Sequence, residues 1–202
     1  MDNKFHAIIL SAGLSSRMGS TKALLDWHGK KLIEYHIETL NQLGVNQINL
    51  ILGHEKDKIL PYVQKKSIKI VINENYKEGK STSILKGINS IIKEAENAIL
   101  ISVDQPRPQW FMNEIISNHF EKKSIITAPI NESKRGHPII LNKKIFKQIL
   151  KINDYQNGLK DIFRKNNDLV NTVSMKNKWT HLDLNTREIY KESLLYPLEK
   201  NG

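Results

Sequence analysis

Phe5-His6-Ala7-Ile8-Ile9-Leu10 is an apolar run that empties directly into Ser11-Ala12-Gly13-Leu14-Ser15-Ser16-Arg17-Met18-Gly19-Ser20-Thr21-Lys22, a loop of small residues carrying two cations. A short apolar run bounded by a turn signal reads as a buried strand. Small residues let the backbone come close to a ligand, and its N–H groups can wrap oxyanions. Arg17 adds a fork of donors and Lys22 a point charge, a combination that suits a triphosphate. The loop is not a P-loop, because five residues separate Gly13 from Gly19 and Lys22 does not follow the glycine directly. Nor is it the GxGxxG of a dinucleotide site.

Working outward, the chain alternates between two periods. Leu32–Leu43 carries apolar residues at helical spacing and Gly44 ends it. Gln47–Leu52 reads as a strand, His54–Gln64 as a weaker helix interrupted by Pro61, and Ile68–Ile72 as a third strand. Ser81–Ile92 is a predicted helix, Ala98–Val103 a fourth strand, and Pro108–Phe120 a helix with proline early, where its missing N–H costs little. Short apolar runs separated by helices are the signature of βαβ units and a mainly parallel sheet covered on both faces. The second half is less regular. Ser124–Ala128 and His137–Leu141 are strand-like around the polar loop Asn131–Gly136. Lys144–Leu150 and Gly158–Asn166 look helical, Leu169–Ser174 and Trp179–Leu184 look like late strands, and Thr186–Glu192 like a last helix. With no repeat, low-complexity linker or boundary, residues 1–195 are expected to form one α/β domain, and 196–202 to fray.

The totals bound the function. A chain of 202 residues suits one domain, and 39% hydrophobic with 26% charged residues is ordinary globular composition. No apolar run approaches the roughly 20 residues of a membrane span, and the start, Met1-Asp2-Asn3-Lys4, lacks signal-peptide features. A cytoplasmic protein with no membrane partner is expected. The absence of cysteine excludes disulfides, thiolate catalysis and Cys-ligated zinc. The net charge of +10 has three readings: a lysine-rich solvated surface, a phosphate-bearing ligand steered by the field, or nucleic acid. No nucleic-acid signature accompanies the charge, so no nucleic-acid partner is expected. The histidines show no HExxH spacing, and no GxSxG elbow is present.

In a parallel sheet, ligands collect at the carboxyl ends of strands, which singles out three further stretches. Gly79-Lys80-Ser81-Thr82 resembles the end of a P-loop, but position 74 holds Glu74 in place of its first glycine. Ser81 also reads as an N-cap. Asp104-Gln105-Pro106 puts a carboxylate at the tip of a buried strand, where it must be hydrated, paired or coordinated. Magnesium, held by one or two carboxylates plus substrate phosphates, fits there, and so does a helix cap. In Arg135-Gly136-His137-Pro138, Gly136 permits unusual backbone geometry and Pro138 stiffens the start of a strand.

The loop Leu-x-Ala-Gly-x-Ser-x-Arg-Met-Gly-x-x-Lys after an N-terminal strand resembles the signature of the MobA-like NTP transferase superfamily, and most closely its branch of molybdenum cofactor cytidylyltransferases. The resemblance runs from Ala7 to about Tyr190 with the motifs in family order. It implies a Rossmann-like (GT-A-like) single domain with a mainly parallel, mixed sheet. It assigns nucleotide binding to Leu10, Ser11, Ala12, Gly13, Ser15, Arg17, Gly19 and Lys22, with Arg17 and Lys22 on the phosphates, and lays Asn75, Gly79 and Ser83 over base and ribose. Asp104 inherits the Mg²⁺ of the reaction, so Arg17, Lys22 and Asp104 are the catalytic candidates. Leu182-Asp183-Leu184-Asn185-Thr186 resembles the family's late Asp-Ile-Asn-Thr motif, making Asp183 and Asn185 candidate second ligands, while Asn185-Thr186 is equally good capping chemistry. Arg135, Gly136, His137 and Pro138 border the acceptor pocket in that branch; His137 either contacts an acceptor phosphate or holds the loop. Arg107 departs from the aliphatic residue that commonly follows this motif.

The implied activity is Mg²⁺-dependent transfer of a nucleoside monophosphate from an NTP to a small phosphorylated acceptor, with release of pyrophosphate. Ala12 favours CTP over GTP. Molybdopterin is the first acceptor, with a client molybdoenzyme or chaperone as a further partner. A sugar or polyol phosphate is the alternative acceptor, and a non-catalytic nucleotide sensor or assembly factor the rival from another class.

Overall fold

The computed structural model describes residues 4–14 and 18–200. In chain order these form β1 (Phe5–Ser11), a small hairpin of β2 (Asp26–Trp27) and β3 (Lys30–Lys31), α1 (Leu32–Gln42), β4 (Gln47–Leu52), α2 (Lys56–Val63), β5 (Lys69–Ile72), α3 (Lys80–Ile91), β6 (Asn97–Ser102) and α4 (Gln109–Glu121). There follow β7 (Ile126–Asn131), β8 (Lys134–Arg135), β9 (Ile139–Asn142), α5 (Phe146–Ile149), α6 (Leu159–Lys165), β10 (Val170–Ser174) and α7 (Arg187–Ser193). The main sheet runs β10-β7-β9-β6-β1-β4-β5, with β8 paired to β7. β1 is parallel to β4 and β6, β4 to β5, and β7 to β10. β9 is antiparallel to both neighbours, β6 and β7. The expected mixed, mainly parallel α/β sheet is present.

Every residue of β1 is buried, and its side chains divide by the period of two. Ala7 and Ile9 join Leu32, Ile33, Ile37 and Leu40 of α1 and Phe111 and Ile115 of α4 on one face. Ile8 and Leu10 join Ile84, Ile88 and Ile91 of α3 and Phe146 and Ile149 of α5 on the other. Two helical layers thus bury both faces, which is why the central strands read as continuous apolar runs rather than as alternation. Leu10 lies opposite Ser102 of β6, and Ser11 opposite Leu52 of β4. This register carries the loops after β1, β4 and β6 to one edge. Among the described residues no helix is long and apolar enough to cross a membrane.

One expectation about the elements fails. Trp179–Leu184 is not a strand: Lys178–His181 is a 3-10 turn, followed by an extended stretch. Its buried Thr180, Leu182 and Leu184 imitate strand periodicity. Its backbone bonds go elsewhere, because the carbonyls of Thr180 and Leu182 accept from the Arg107 side chain and Leu184 N–H donates to the Asp104 carbonyl. In the tail, Tyr196 packs edge-on against Trp179 with centroids 5.6 Å apart, and Leu198 lies against the core.

Candidate active site

Lys22 lies in a 3-10 turn (Lys22–Leu24) just beyond the glycine loop. Its ammonium donates to Asp104 Oδ2 at 2.7 Å and to Asn185 Oδ1 at 2.9 Å. Three sequence-distant candidates therefore meet at one nitrogen. Asp104 follows β6 in a turn closed by Gln105 N–H donating to the Ser102 carbonyl at 3.0 Å. Gln105 is buried; its Oε1 accepts from Ser102 N–H and its Nε2 donates to Asp183 Oδ1 at 2.8 Å. Gln105 thus spaces the second carboxylate from the first. Beneath the turn, His36 Nε2 contacts the Val103 carbonyl at 2.9 Å. Burial pushes the His36 pKa down to about 4, so the ring is neutral and its Nε2–H donates, adding no charge beside Asp104.

The opposite wall comes from the segment leading into α3. Asn73 is fully buried and its amide donates to Thr82 Oγ1 and Ser83 Oγ, both at 2.9 Å, while its Oδ1 accepts from Asn75 N–H. α3 starts at Lys80 after Gly79, whose φ of 120° is a backbone state that L side chains rarely adopt. Ser81 is not the N-cap. Its N–H and hydroxyl donate to the two oxygens of Asp154 at 3.0 and 2.9 Å. A carboxylate from another segment supplies the anionic cap the helix start favours.

Between these walls lies a cavity of about 370 Å³ lined by Leu10, Ser11, Ala12, Gly13, Lys22, Tyr76, Gly79, Ser83 and Asp104, among others. Leu10, Lys80 and Ser102 also line a second cavity of about 800 Å³. Its walls include Arg135, Gly136 and His137, an apolar floor of Ile84, Ile139 and Phe163, and the cations Lys80, Lys134, Lys160 and Arg164. Gly136 is required by close approach, since a Cβ there would collide with the Thr180 carbonyl oxygen. Arg135 is exposed, donates to Asn167 Oδ1 at 2.7 Å and stacks 5.5 Å from the Phe163 ring centroid. His137 precedes Pro138 across a cis peptide bond. Its Nδ1 is shut off from solvent without a hydrogen-bond partner. Burial first, then the charges of Lys80 and Arg107, push its pKa down to about 3, so the ring is neutral.

Most of the sequence candidates converge. Leu10 to Gly13, Lys22, Gly79, Ser83 and Asp104 share one cavity, and Asn185 joins them through Lys22. Asp183 is reached through Gln105. Asn75 stands aside, bonded to Glu78 and Asn73. Gly19 does not line the cavity, though its φ of 62° explains a glycine there. Pro138 is buried behind the acceptor-side loop. Ser15 and Arg17 lie outside the described residues. Sequence reading missed Lys80, which links the cavities, and Gln105, though both sit inside quoted motifs. It also missed Asp154, 73 positions from its partner Ser81, for which the sequence carried no local signal.

Two oxygen donors, Asp104 Oδ2 and Asn185 Oδ1, already converge on a single cation. Such a hard-oxygen pair with room for phosphates fits Mg²⁺, which keeps few protein ligands. Among the described residues no group of three or more His, Asp or Glu could hold a metal alone.

Comparison with known proteins gives the family of the chain. The model of the MobA-like NTP transferase domain matches residues 7–170. The chain is 27% identical over 144 residues to the molybdenum cofactor cytidylyltransferase of Escherichia coli K12, covering 71% of this chain and 72% of that protein. It is 24% identical over 190 residues to the nicotine blue oxidoreductase of Paenarthrobacter nicotinovorans, covering 90% and 92%. The solved structure of a nucleotidyl transferase from Methanothermobacter thermautotroptrophicus superposes with a TM-score of 0.80 at 18% identity, covering 94% of this chain and 95% of that one. That likeness speaks for the fold.

Proposed function

The chain belongs to the MobA-like NTP transferase family and is a nucleotidyltransferase, and from that premise we propose that it moves CMP from CTP, with Mg²⁺, onto a small phosphorylated acceptor, molybdopterin first. The observation that carries this reading is the Lys22 ammonium shared by Asp104 and Asn185 at a cavity that opens, past Lys80, onto a second one with a cationic rim. The first cavity takes the triphosphate and the second the acceptor. An oxygen of the acceptor phosphate attacks the α-phosphorus; a P–O bond forms there as the bond to the α–β bridging oxygen breaks, and its electron pair leaves on pyrophosphate. The attacking phosphate is already anionic, so no proton need be removed.

Asp104 and Asn185, with Asp183 beside them, would hold the metal, which supplies Lewis-acid charge neutralisation on the phosphates when bound. Lys22, released from that pair, offsets charge on the leaving pyrophosphate. Ser11 to Gly13 and Gly79 offer backbone at close range, and Arg17 adds a fork for phosphate oxygens. The cationic rim draws the acceptor phosphate, and His137 borders the acceptor as part of that cavity's wall. This chemistry works by positioning and charge more than by covalent help. The apolar floor of Ile84, Ile139 and Phe163 suits the face of a flat ring better than a sugar or polyol phosphate, whose hydroxyls would face hydrocarbon.

The test is incubation with Mg²⁺ and each NTP beside molybdopterin, sugar phosphates and polyol phosphates, with pyrophosphate measured. CTP with molybdopterin is expected to turn over fastest. Equal or better turnover with GTP overturns the base assignment, and turnover with a polyol phosphate alone overturns the acceptor.

A further inference from the structure

Arg107 occupies the position after Asp104-Gln105-Pro106 and is only 1% exposed. A buried guanidinium is costly unless its donors are satisfied, and here carbonyl oxygens satisfy them. Nε donates to His137 O at 3.0 Å, Nη1 to Pro106 O and Leu182 O at 2.8 Å each, and Nη2 to Thr180 O at 3.4 Å. The guanidinium carbon lies 6.0 Å from the Phe111 ring centroid, and the Arg107 carbonyl accepts from Tyr35 hydroxyl at 2.8 Å. Burial lowers its pKa to about 10, opposed by the charges of Asp183 and Asp104, so the cation persists at neutral pH.

The four carbonyls belong to three separate segments, each next to a proposed site residue. Pro106 lies two residues beyond Asp104, at the end of the Asp-Gln-Pro run. Thr180 and Leu182 lead straight into Asp183 and Asn185. His137 is the acceptor-side histidine itself. Arginine suits this junction because its planar fork has five donors in fixed directions, whereas lysine offers a point charge and at most three. We propose that Arg107 is a positioning residue: it sets the spacing between Asp104 and the Asp183–Asn185 segment and locks the His137 loop to both. The inference rests on the reading that those oxygens receive the metal of a metal–NTP complex. It touches no substrate and acts through the backbone it holds.

The test compares the wild type with Arg107→Lys and Arg107→Ala, reading protein-bound Mn²⁺–CTP by isothermal titration of preformed Mn²⁺–CTP into each protein, with Mn²⁺-free CTP as the control. Circular dichroism and a cooperative melt establish folding. Arg107→Lys keeps the charge but not the fork, and it is expected to bind Mn²⁺ with CTP about tenfold or more weakly, the size of loss seen when the support of a metal ligand is removed. In Arg107→Ala, millimolar guanidinium should restore much of the affinity and methylammonium should not. Should Arg107→Ala fail to fold, Arg107→Lys decides alone. A folded Arg107→Lys that melts lower yet binds Mn²⁺ with CTP as the wild type does overturns the proposal and leaves Arg107 as a packing element. A wild type that binds no Mn²⁺ with CTP overturns the metal reading, and this inference with it.

Discussion

The two cavities that meet at Leu10, Lys80 and Ser102 are built by different means. The smaller cavity, proposed for the nucleotide, is made mostly of backbone and short side chains, delivered largely by loops after β1 and β6, which pair in register with Leu10 opposite Ser102. The larger one, proposed for the acceptor, is made of side chains from β9, α3, α6 and the Arg135–His137 loop, with an apolar floor and a cationic rim. Parallel neighbours place the first site through the sheet's own hydrogen bonds. The second depends on close approaches such as Gly136 against Thr180 and on the Arg107 fork. On the proposed reading, a cavity fixed by the sheet faces one that substitutions can reshape without disturbing it, and acceptor specificity is expected to reside in the latter.

The largest effect that would break this contrast is on the nucleotide side. Asp104→Ala should lower kcat/KM by on the order of 10³ while the protein still folds, as measured by pyrophosphate release and circular dichroism. Wild-type turnover at saturating Mg²⁺ would leave Asp104 as a partner for Lys22 and nothing more, since α4 starts only at Gln109 with Pro108 as its N-cap. On the acceptor side, Gly136→Ala forces a methyl into the Thr180 carbonyl and should cost about 1–3 kcal/mol in urea unfolding, as overpacking does. It should raise the acceptor KM and leave NTP affinity near normal.

Acid separates the two regions from a different direction. His36, His119 and His137 have folded pKa values lowered to about 4, 4 and 3, chiefly by burial, from an ordinary value of 6.5. The unfolded chain then binds more protons than the folded one between those values, so stability is full above pH 6.5 and falls as pH drops towards 4. Each fully buried ring contributes a slope of at most about 1.4 kcal/mol per pH unit. Urea midpoints that stay level from pH 6.5 to 4.5 would contradict these burials. Asp154→Ala removes the cap on α3 and should cost about 1 kcal/mol. His137→Ala should have the smallest effect on stability, while raising the acceptor KM or lowering kcat with NTP affinity unchanged. A lower melting temperature with normal kinetics would make His137 a support of its loop.

The same contrast governs which features the amino-acid sequence discloses by itself. The strand Gln47–Leu52 and the β1 loop are legible because local period and glycine chemistry determine them, and Lys22, Asp104 and Asn185 because they sit in motifs. Trp179–Leu184 misleads because burial of Thr180, Leu182 and Leu184 copies a strand, while the bonds that decide its backbone come from Arg107, 73 and 75 positions away. Asp154 is invisible for the same reason. Where a hydrogen bond joins distant segments through a side chain, neither periodicity nor propensity carries the information. The hairpin of β2 and β3 escapes notice because two-residue strands show no period at all.

The central claim is that the Lys22–Asp104–Asn185 cluster receives a metal-bound triphosphate. Isothermal titration of CTP into the wild type and Asp104→Ala, each in Mg²⁺ and in EDTA, tests it without knowledge of the acceptor. The wild type should bind CTP much more tightly in Mg²⁺ than in EDTA, and Asp104→Ala should lose that difference. Equal affinities in Mg²⁺ and EDTA for the wild type, or a Mg²⁺ dependence that survives in Asp104→Ala, would contradict it.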